Sequence, residues 1–260
     1  MVVRLHGGLA NQMFQYAFGE SVGATRQEEV LYNRHGPERF SALNVKTIKF
    51  SPEYGPVFND VGHFDERTYS VPRGTSFVGY WQTEKYFNEA TVRQELSFKD
   101  NPSDESRRVA DSIAQADKRS AFLHVRRGDY IFDYNQRFHG MPTMRYYNEA
   151  VERIRAHKEN ARLFVFSDDP EWCLENFPND FMVVRHNKIV NRDTPGREHE
   201  DIWLMSLCHH GAIANSSFSW WGAWLGTQPD KLIFAPKRWF TNTQADSRDI
   251  VPERWTKLDN

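Results

Sequence analysis

Apolar positions along this chain change period several times, and the changes divide it into elements. Met1-Val2-Val3-Arg4-Leu5 reads as an opening strand. Met13, Phe14, Ala17, Phe18 and Val22 then recur at three- and four-residue spacing, the stripe of a helix facing a core. Three short runs follow between loops rich in Gly and Pro: Val30-Leu31-Tyr32, Lys46–Phe50 and Ser76–Trp81 read as strands. The polar stretch Asp100–Glu105 breaks this pattern, and Asp104 is placed to cap a helix running to Ser120.

From there strands and helices alternate. Ala121–Val125, Leu163–Phe166, Phe181–Val184, Ala212–Ala214 and Lys231–Ala235 are compact apolar runs. Between them, Met144–His157 carries a stripe at Tyr147, Val151 and Ile154, and Glu171–Asn176, Ile202–His209 and Ser219–Leu225 read as further helices. Alternation of this kind predicts an α/β fold of parallel βαβ units with both sheet faces covered. Ligands of such sheets bind beyond the carboxyl ends of the strands. That rule selects three loops: His124–Tyr130, Ser167–Pro170 and Asn215–Phe218.

All three loops are polar. Arg126 and Arg127 repel each other unless an anion lies beside them, and guanidinium groups bind phosphate oxygens in pairs, which suits a diphosphate. A surface pair salt-bridged to acids is the plainer reading of the same residues. Gly128 permits a tight turn, and Asp129 either orients an arginine or serves as a base. In the second loop, Asp169 before Pro170 has the form of an N-cap followed by Pro at the first helical position. That leaves Asp168 to accept hydrogen bonds from a nucleoside. Successive residues on an extended backbone point apart, so the pair is a poor metal site. In the third, Asn215, Ser216, Ser217 and Phe218 stand where a strand meets a helix, and a helix N-terminus attracts phosphate. Capping alone would need only one of them. Near the N-terminus, Gly7-Gly8 precedes Asn11 and Gln12, which either cap the first helix or touch a sugar.

Composition narrows the class. The chain has 260 residues, 39% hydrophobic and 26% charged, with a formal charge of −2, so it is no general nucleic-acid-coating protein. Two cysteines, Cys173 and Cys208, do not make a disulfide framework. No run approaches the roughly 18 apolar residues of a membrane span, and the N-terminus lacks the pattern of a signal peptide. These features predict a bacterial-type cytoplasmic protein, compatible with peripheral membrane association. His199, His209, His210, Cys173 and Cys208 show no zinc-ligand spacing, and no Gly-x-Ser-x-Gly elbow marks a hydrolase.

Taken in order, Gly8–Ala17, Gly79-Tyr80-Trp81-Gln82, His124-Val125-Arg126-Arg127-Gly128-Asp129-Tyr130, Phe166–Asp169 and Asn215–Gly222 resemble the α1,2-fucosyltransferase family of inverting, GDP-fucose-dependent glycosyltransferases. The likeness runs on to Ala235–Phe240. It implies a GT-B-like fold with two Rossmann-like domains and parallel sheets, here an acceptor-side domain over residues 1–115 and a donor domain over 116–260. It implies transfer of L-fucose from GDP-β-L-fucose to the 2-hydroxyl of a terminal galactose in an oligosaccharide or polysaccharide, with no metal or other cofactor.

By the same likeness, Arg126 and Arg127 hold the diphosphate and stabilise charge on the leaving phosphate. His124 and Asp168 lie near the guanosine, and Asn215, Ser216, Ser217 and Phe218 complete the donor pocket. Arg126, Arg127 and Asp129 are the catalytic candidates, and Asn11, Gln12, Tyr80 and Trp81 the candidate acceptor contacts. Ala10 stands where the family often has Gly; a left-handed backbone there would cost an alanine ~1 kcal/mol. Three rival readings are a GDP-sugar transferase of another donor or linkage, a non-catalytic carbohydrate-binding protein using Tyr80, Trp81, Trp220 and Trp221 as stacking surfaces, and a generic nucleotide-binding module.

Overall fold

The structure, a computed structural model, describes residues 1–37, 39–46, 48–99, 102–185 and 197–260. The chain divides into two compact units, Met1–Asp100 with Ala245–Pro252, and Asn101–Gln244 with Glu253–Asn260.

The first unit holds β1 (Val2–His6), α1 (Leu9–Arg26), β2 (Leu31–His35), β3 (Val57–Asn59), β4 (Ser76–Val78) and α2 (Glu89–Glu95). Its described strands form a parallel sheet in the order β2-β1-β4-β3. α1 buries the expected stripe of Met13, Phe14, Ala17, Phe18 and Val22. Ala10 is an ordinary helical residue of α1, and the left-handed position of that loop is Gly7, at φ +80°, so the expected strain at Ala10 does not arise. Of the run at 46–50, residue 47 lies outside the described residues; among the others, Phe50 makes an isolated bridge to Tyr32 and no strand is described.

The second unit holds α3 (Asp104–Ala116), β5 (Ser120–Val125), α4 (Asp133–His139), α5 (Met144–His157), β6 (Arg162–Ser167), α6 (Pro170–Asn176), β7 (Met182–Val183), α7 (Glu198–Leu207), β8 (His210–Ala212), α8 (Ser217–Leu225), β9 (Ile233–Pro236) and β10 (Thr256–Leu258). The described strands again pair in parallel, in the order β10-β9-β8-β5-β6-β7. β5 lies at the centre with every residue buried, which explains its unbroken apolar run.

α5 packs its apolar stripe on this sheet and pins it at chosen points. The Tyr147 hydroxyl donates to His124 O at 3.0 Å, and Tyr146 donates to Ile213 O and Phe234 O at 2.7 and 3.0 Å. Two tyrosines thus hold β5 near its carboxyl end, the residue after β8, and β9. α3 is capped by Ser103 rather than by Asp104, and buried Glu200 accepts from Ser103 N–H, Ser103 Oγ and Ser106 Oγ, each at 2.7 Å. Those bonds tie α3 to α7, so α3 belongs to the second unit and the division falls before it, not at 115/116. Cys173 and Cys208 are buried free thiols. No helix among the described residues is long and apolar enough to cross a membrane.

Candidate functional site

All three loops singled out by topology lie at carboxyl ends of second-unit strands, and two of them interlock. Ser167, last residue of β6, donates through Oγ to Val125 O at 2.8 Å and accepts from Asp169 N–H at 2.9 Å. This sets the loop after β6 against the loop after β5. Asp168 faces both arginines: Oδ1 accepts the Arg127 backbone N–H at 2.8 Å, and Oδ2 lies 2.7 Å from Arg126 Nη1 as an ion pair, without hydrogen-bond geometry. Gly128 is required by this approach, because a Cβ at that position would collide with Asp168 Oδ2.

The guanidinium groups are held from several sides. Arg126 Nη2 donates to Asp129 Oδ1 at 2.6 Å, and its guanidinium carbon lies 5.4 Å from the centre of the Tyr130 ring. Burial works against the Arg126 charge, but Asp168 and Asp129 outweigh it and hold the group protonated. Arg127 donates through Nε to Asp169 Oδ2 at 3.0 Å and lies over the Trp172 indole at 4.2 Å, a cation–π contact. Asp169 also caps α6, accepting from Trp172 N–H at 3.2 Å, as its place before Pro170 predicts.

Both arginines line a cavity of about 450 Å³, with Trp172, Tyr147 and residues 140–144 on its walls. Sequence reasoning missed those walls. The Gly140 and Pro142 breakers followed by Thr143, the N-cap of α5, were the available signal for the 140–144 turn. Trp172 gave none beyond its position in the first turn of α6.

His124 sits at the end of β5, 4% exposed, with its ring 5.5 Å from that of Phe218. Burial, with Arg126 adding to it, lowers its pKa to about 3, so the imidazole is neutral. Its Nδ1 is buried with no hydrogen-bond partner among the described residues.

The remaining candidates sort differently from expectation. Asp168 helps to build the arginine loop, and its Oδ2 is buried without a hydrogen-bond partner among the described residues. Asn215 is 1% exposed and does not line the cavity; its amide donates to the backbone carbonyls of His139, Gly140 and Trp239. Ser216 is the N-cap of α8, accepting from Phe218 N–H at 3.3 Å, while Ser217 and Phe218 are partly exposed on the first turn.

In the first unit, Asp60 Oδ2 accepts both the Tyr80 and Trp81 backbone N–H groups, at 3.1 and 2.8 Å, and Trp81 takes φ +56°. This turn drives the Trp81 ring inward to stack on Phe18 at 4.1 Å, so Trp81 is core and no sugar platform. Gln12 is buried too, donating to Gly7 O and Pro37 O. Asn11, bonded to Gln82 at 3.0 Å, and exposed Tyr80, beside the His6 ring at 4.6 Å, keep surface. Trp220 and Trp221 are fully buried in α8, so of the four rings on which a purely sugar-binding reading relied only Tyr80 is exposed.

The sequence model of glycosyl transferase family 11 matches residues 58–259. The chain belongs to glycosyl transferase family 11. Family 11 membership makes it a glycosyltransferase and bears out the resemblance drawn from its motifs. An α1,2-colitosyltransferase of Escherichia coli is 32% identical, with 100% of this chain and 99% of that protein covered. A rat galactoside α-(1,2)-fucosyltransferase 1 is 31% identical over 45% of this chain and 34% of its own length. Among solved structures, NodZ α1,6-fucosyltransferase soaked with GDP-fucose aligns with a TM-score of 0.51 at 12% identity, covering 90% of this chain and 94% of that one. That likeness carries the fold, and the GT-B-like α/β class expected from the sequence holds.

Proposed function

We propose that this family 11 enzyme transfers L-fucose from GDP-β-L-fucose to the 2-hydroxyl of a terminal galactose in a glycan, inverting the anomeric carbon. One arrangement carries the reading: two adjacent arginines, fixed by aspartates, lining a cavity at the carboxyl end of the central strand. A guanidinium has five N–H donors. Arg126 commits one to Asp129 and forms an ion pair with Asp168, and Arg127 commits one to Asp169, which orients both groups and leaves donors for diphosphate oxygens.

As the fucosyl C1–O bond breaks, negative charge grows on the departing phosphate. Pre-oriented arginines stabilise that charge more in the transition state than in the ground state, and this is the metal-free contribution assigned to them. A nucleoside group bonding to His124 Nδ1 would relieve an orphaned buried polar atom, which otherwise costs roughly 1–3 kcal/mol. Asp129, with Oδ1 engaged by Arg126, supports the orienting role over that of base. Asn11 and Tyr80 are the acceptor contacts retained by this reading, and two buried free thiols fit the cytoplasmic placement.

A second donor is favoured by one observation: the relative aligned along the whole chain is named a colitosyltransferase. Colitose is fucose without its 3-hydroxyl, so the two donors share the GDP half and differ at one position. Turnover with GDP-fucose, GDP-colitose and GDP-mannose in EDTA, with galactosides as acceptors and the linkage read by NMR, tests the assignment. Fucosyl transfer forming an α1,2 linkage is expected; transfer from GDP-colitose alone, or no turnover in EDTA, contradicts it.

A further inference from the structure

Asn215 neither caps α8 nor lines the cavity, yet its amide nitrogen reaches three backbone carbonyls. It donates to His139 O at 2.8 Å, Gly140 O at 3.3 Å and Trp239 O at 3.0 Å, joining two segments a hundred residues apart. Those segments are also joined directly, since the Thr241 and Asn242 backbone N–H groups donate to Phe138 O at 2.9 and 3.1 Å. Gly140 turns between them at φ +67°, where a Cβ would collide with Thr241 Oγ1.

The link continues to the arginines. The His139 ring stacks on Tyr130 with centroids 4.6 Å apart and planes 10° from parallel. The Tyr130 hydroxyl returns to Asn215 O at 3.4 Å, closing a circuit, and the Tyr130 ring stands 5.4 Å from the Arg126 guanidinium carbon.

We propose that Asn215 and His139 are positioning residues for Arg126: the amide pins the His139 backbone, the His139 ring holds Tyr130, and the Tyr130 ring supports the guanidinium. This rests on the reading of Arg126 as a diphosphate ligand. Burial lowers the His139 pKa, so the stacked ring stays neutral beside a cation whose placement it controls. The ring acts by its shape, and none of its hydrogen bonds is needed.

GDP titration by calorimetry in EDTA, on the full chain, tests the device with wild type, Asn215→Asp, His139→Ala and His139→Phe. The expected result is a GDP affinity about tenfold weaker in His139→Ala and Asn215→Asp, but within about threefold of wild type in His139→Phe, which keeps a stackable ring. Wild-type affinity in His139→Ala overturns the proposal. So does His139→Phe binding as weakly as His139→Ala, because a ring nitrogen would then be what matters. If Asn215→Asp does not fold, the two His139 variants carry the test. No binding of GDP by the wild type would overturn the donor reading itself, a different failure from the loss of this inference.

Discussion

The first loops of the two sheets occupy equivalent positions and are furnished in opposite ways. After β1, the chain passes through Gly7-Gly8 into α1 with no side-chain cap, and the nearby amides of Gln12 and Gln15 turn inward to backbone and to His6. After β5, two arginines and three aspartates interlock around a cavity. Polar side chains near the first sheet satisfy its own backbone; those at the second hold each other in place and keep donors in reserve. The same strand–loop–helix geometry carries a closed structural turn in one unit and the proposed diphosphate site in the other, and the side chains make the difference.

The largest effect should come from testing the structural side. Trp81→Ala empties a buried, stacked position and should cost about 3–5 kcal/mol of stability in urea unfolding, while leaving GDP affinity in the surviving folded protein unchanged. A mild loss of stability with impaired sugar transfer would return Trp81 to the site. On the other side of the comparison, Gly128→Ala forces Asp168 away from the arginine loop. GDP binding should weaken by about 2 kcal/mol, the scale of a broken buried polar network, and an unchanged titration would show the approach to be slack.

Acid should separate the two units more gently. His124 and His210 in the second are buried neutral, with pKa values lowered to about 3 and about 4, chiefly by burial. Below the unfolded value near 6.5 the unfolded chain takes up protons that the fold refuses, so stability falls as pH falls, by up to ~1.4 kcal/mol per pH unit for each group. In the first unit, burial of Glu28 is outweighed by the Gly74 N–H, the terminal ammonium and Arg26, and its pKa is held at about 2. Its contribution is complete above about pH 4.5 and is lost only below that. Urea midpoints for wild type and His124→Gln should therefore differ in slope between pH 7 and 5; parallel curves would place His124 in a wetter setting. The smallest effect is that of Tyr80→Ala, within about 0.5 kcal/mol of wild-type stability as an exposed site, with a raised KM for the galactoside as the sole kinetic change. An unaltered acceptor KM would remove Tyr80 from the acceptor surface.

Charge made the donor side legible in the sequence, since Arg126 and Arg127 at a strand end need a reason to be adjacent. The Asp169 cap was equally readable, because Asp-Pro at a helix start has a local cause. The bonds of Asp168 and Asn215 to their own loops were not legible for the complementary reason: spacing places a polar group at a loop but does not say which of its atoms bond within the protein. Trp81 was hidden by a left-handed backbone that Asp60, far back in sequence, imposes. α4 buries none of its residues and so leaves no stripe to read. β3 and β10 have only three residues each, too few for a period to show.

The central claim, that Arg126 and Arg127 form a diphosphate site in the second unit, is tested most directly by calorimetric titration of GDP in EDTA into wild type, Arg126→Ala and Arg127→Ala. The wild type should bind GDP, and each variant should lose about 3 kcal/mol, roughly a hundredfold in affinity. Wild-type affinity retained in both variants would contradict the account.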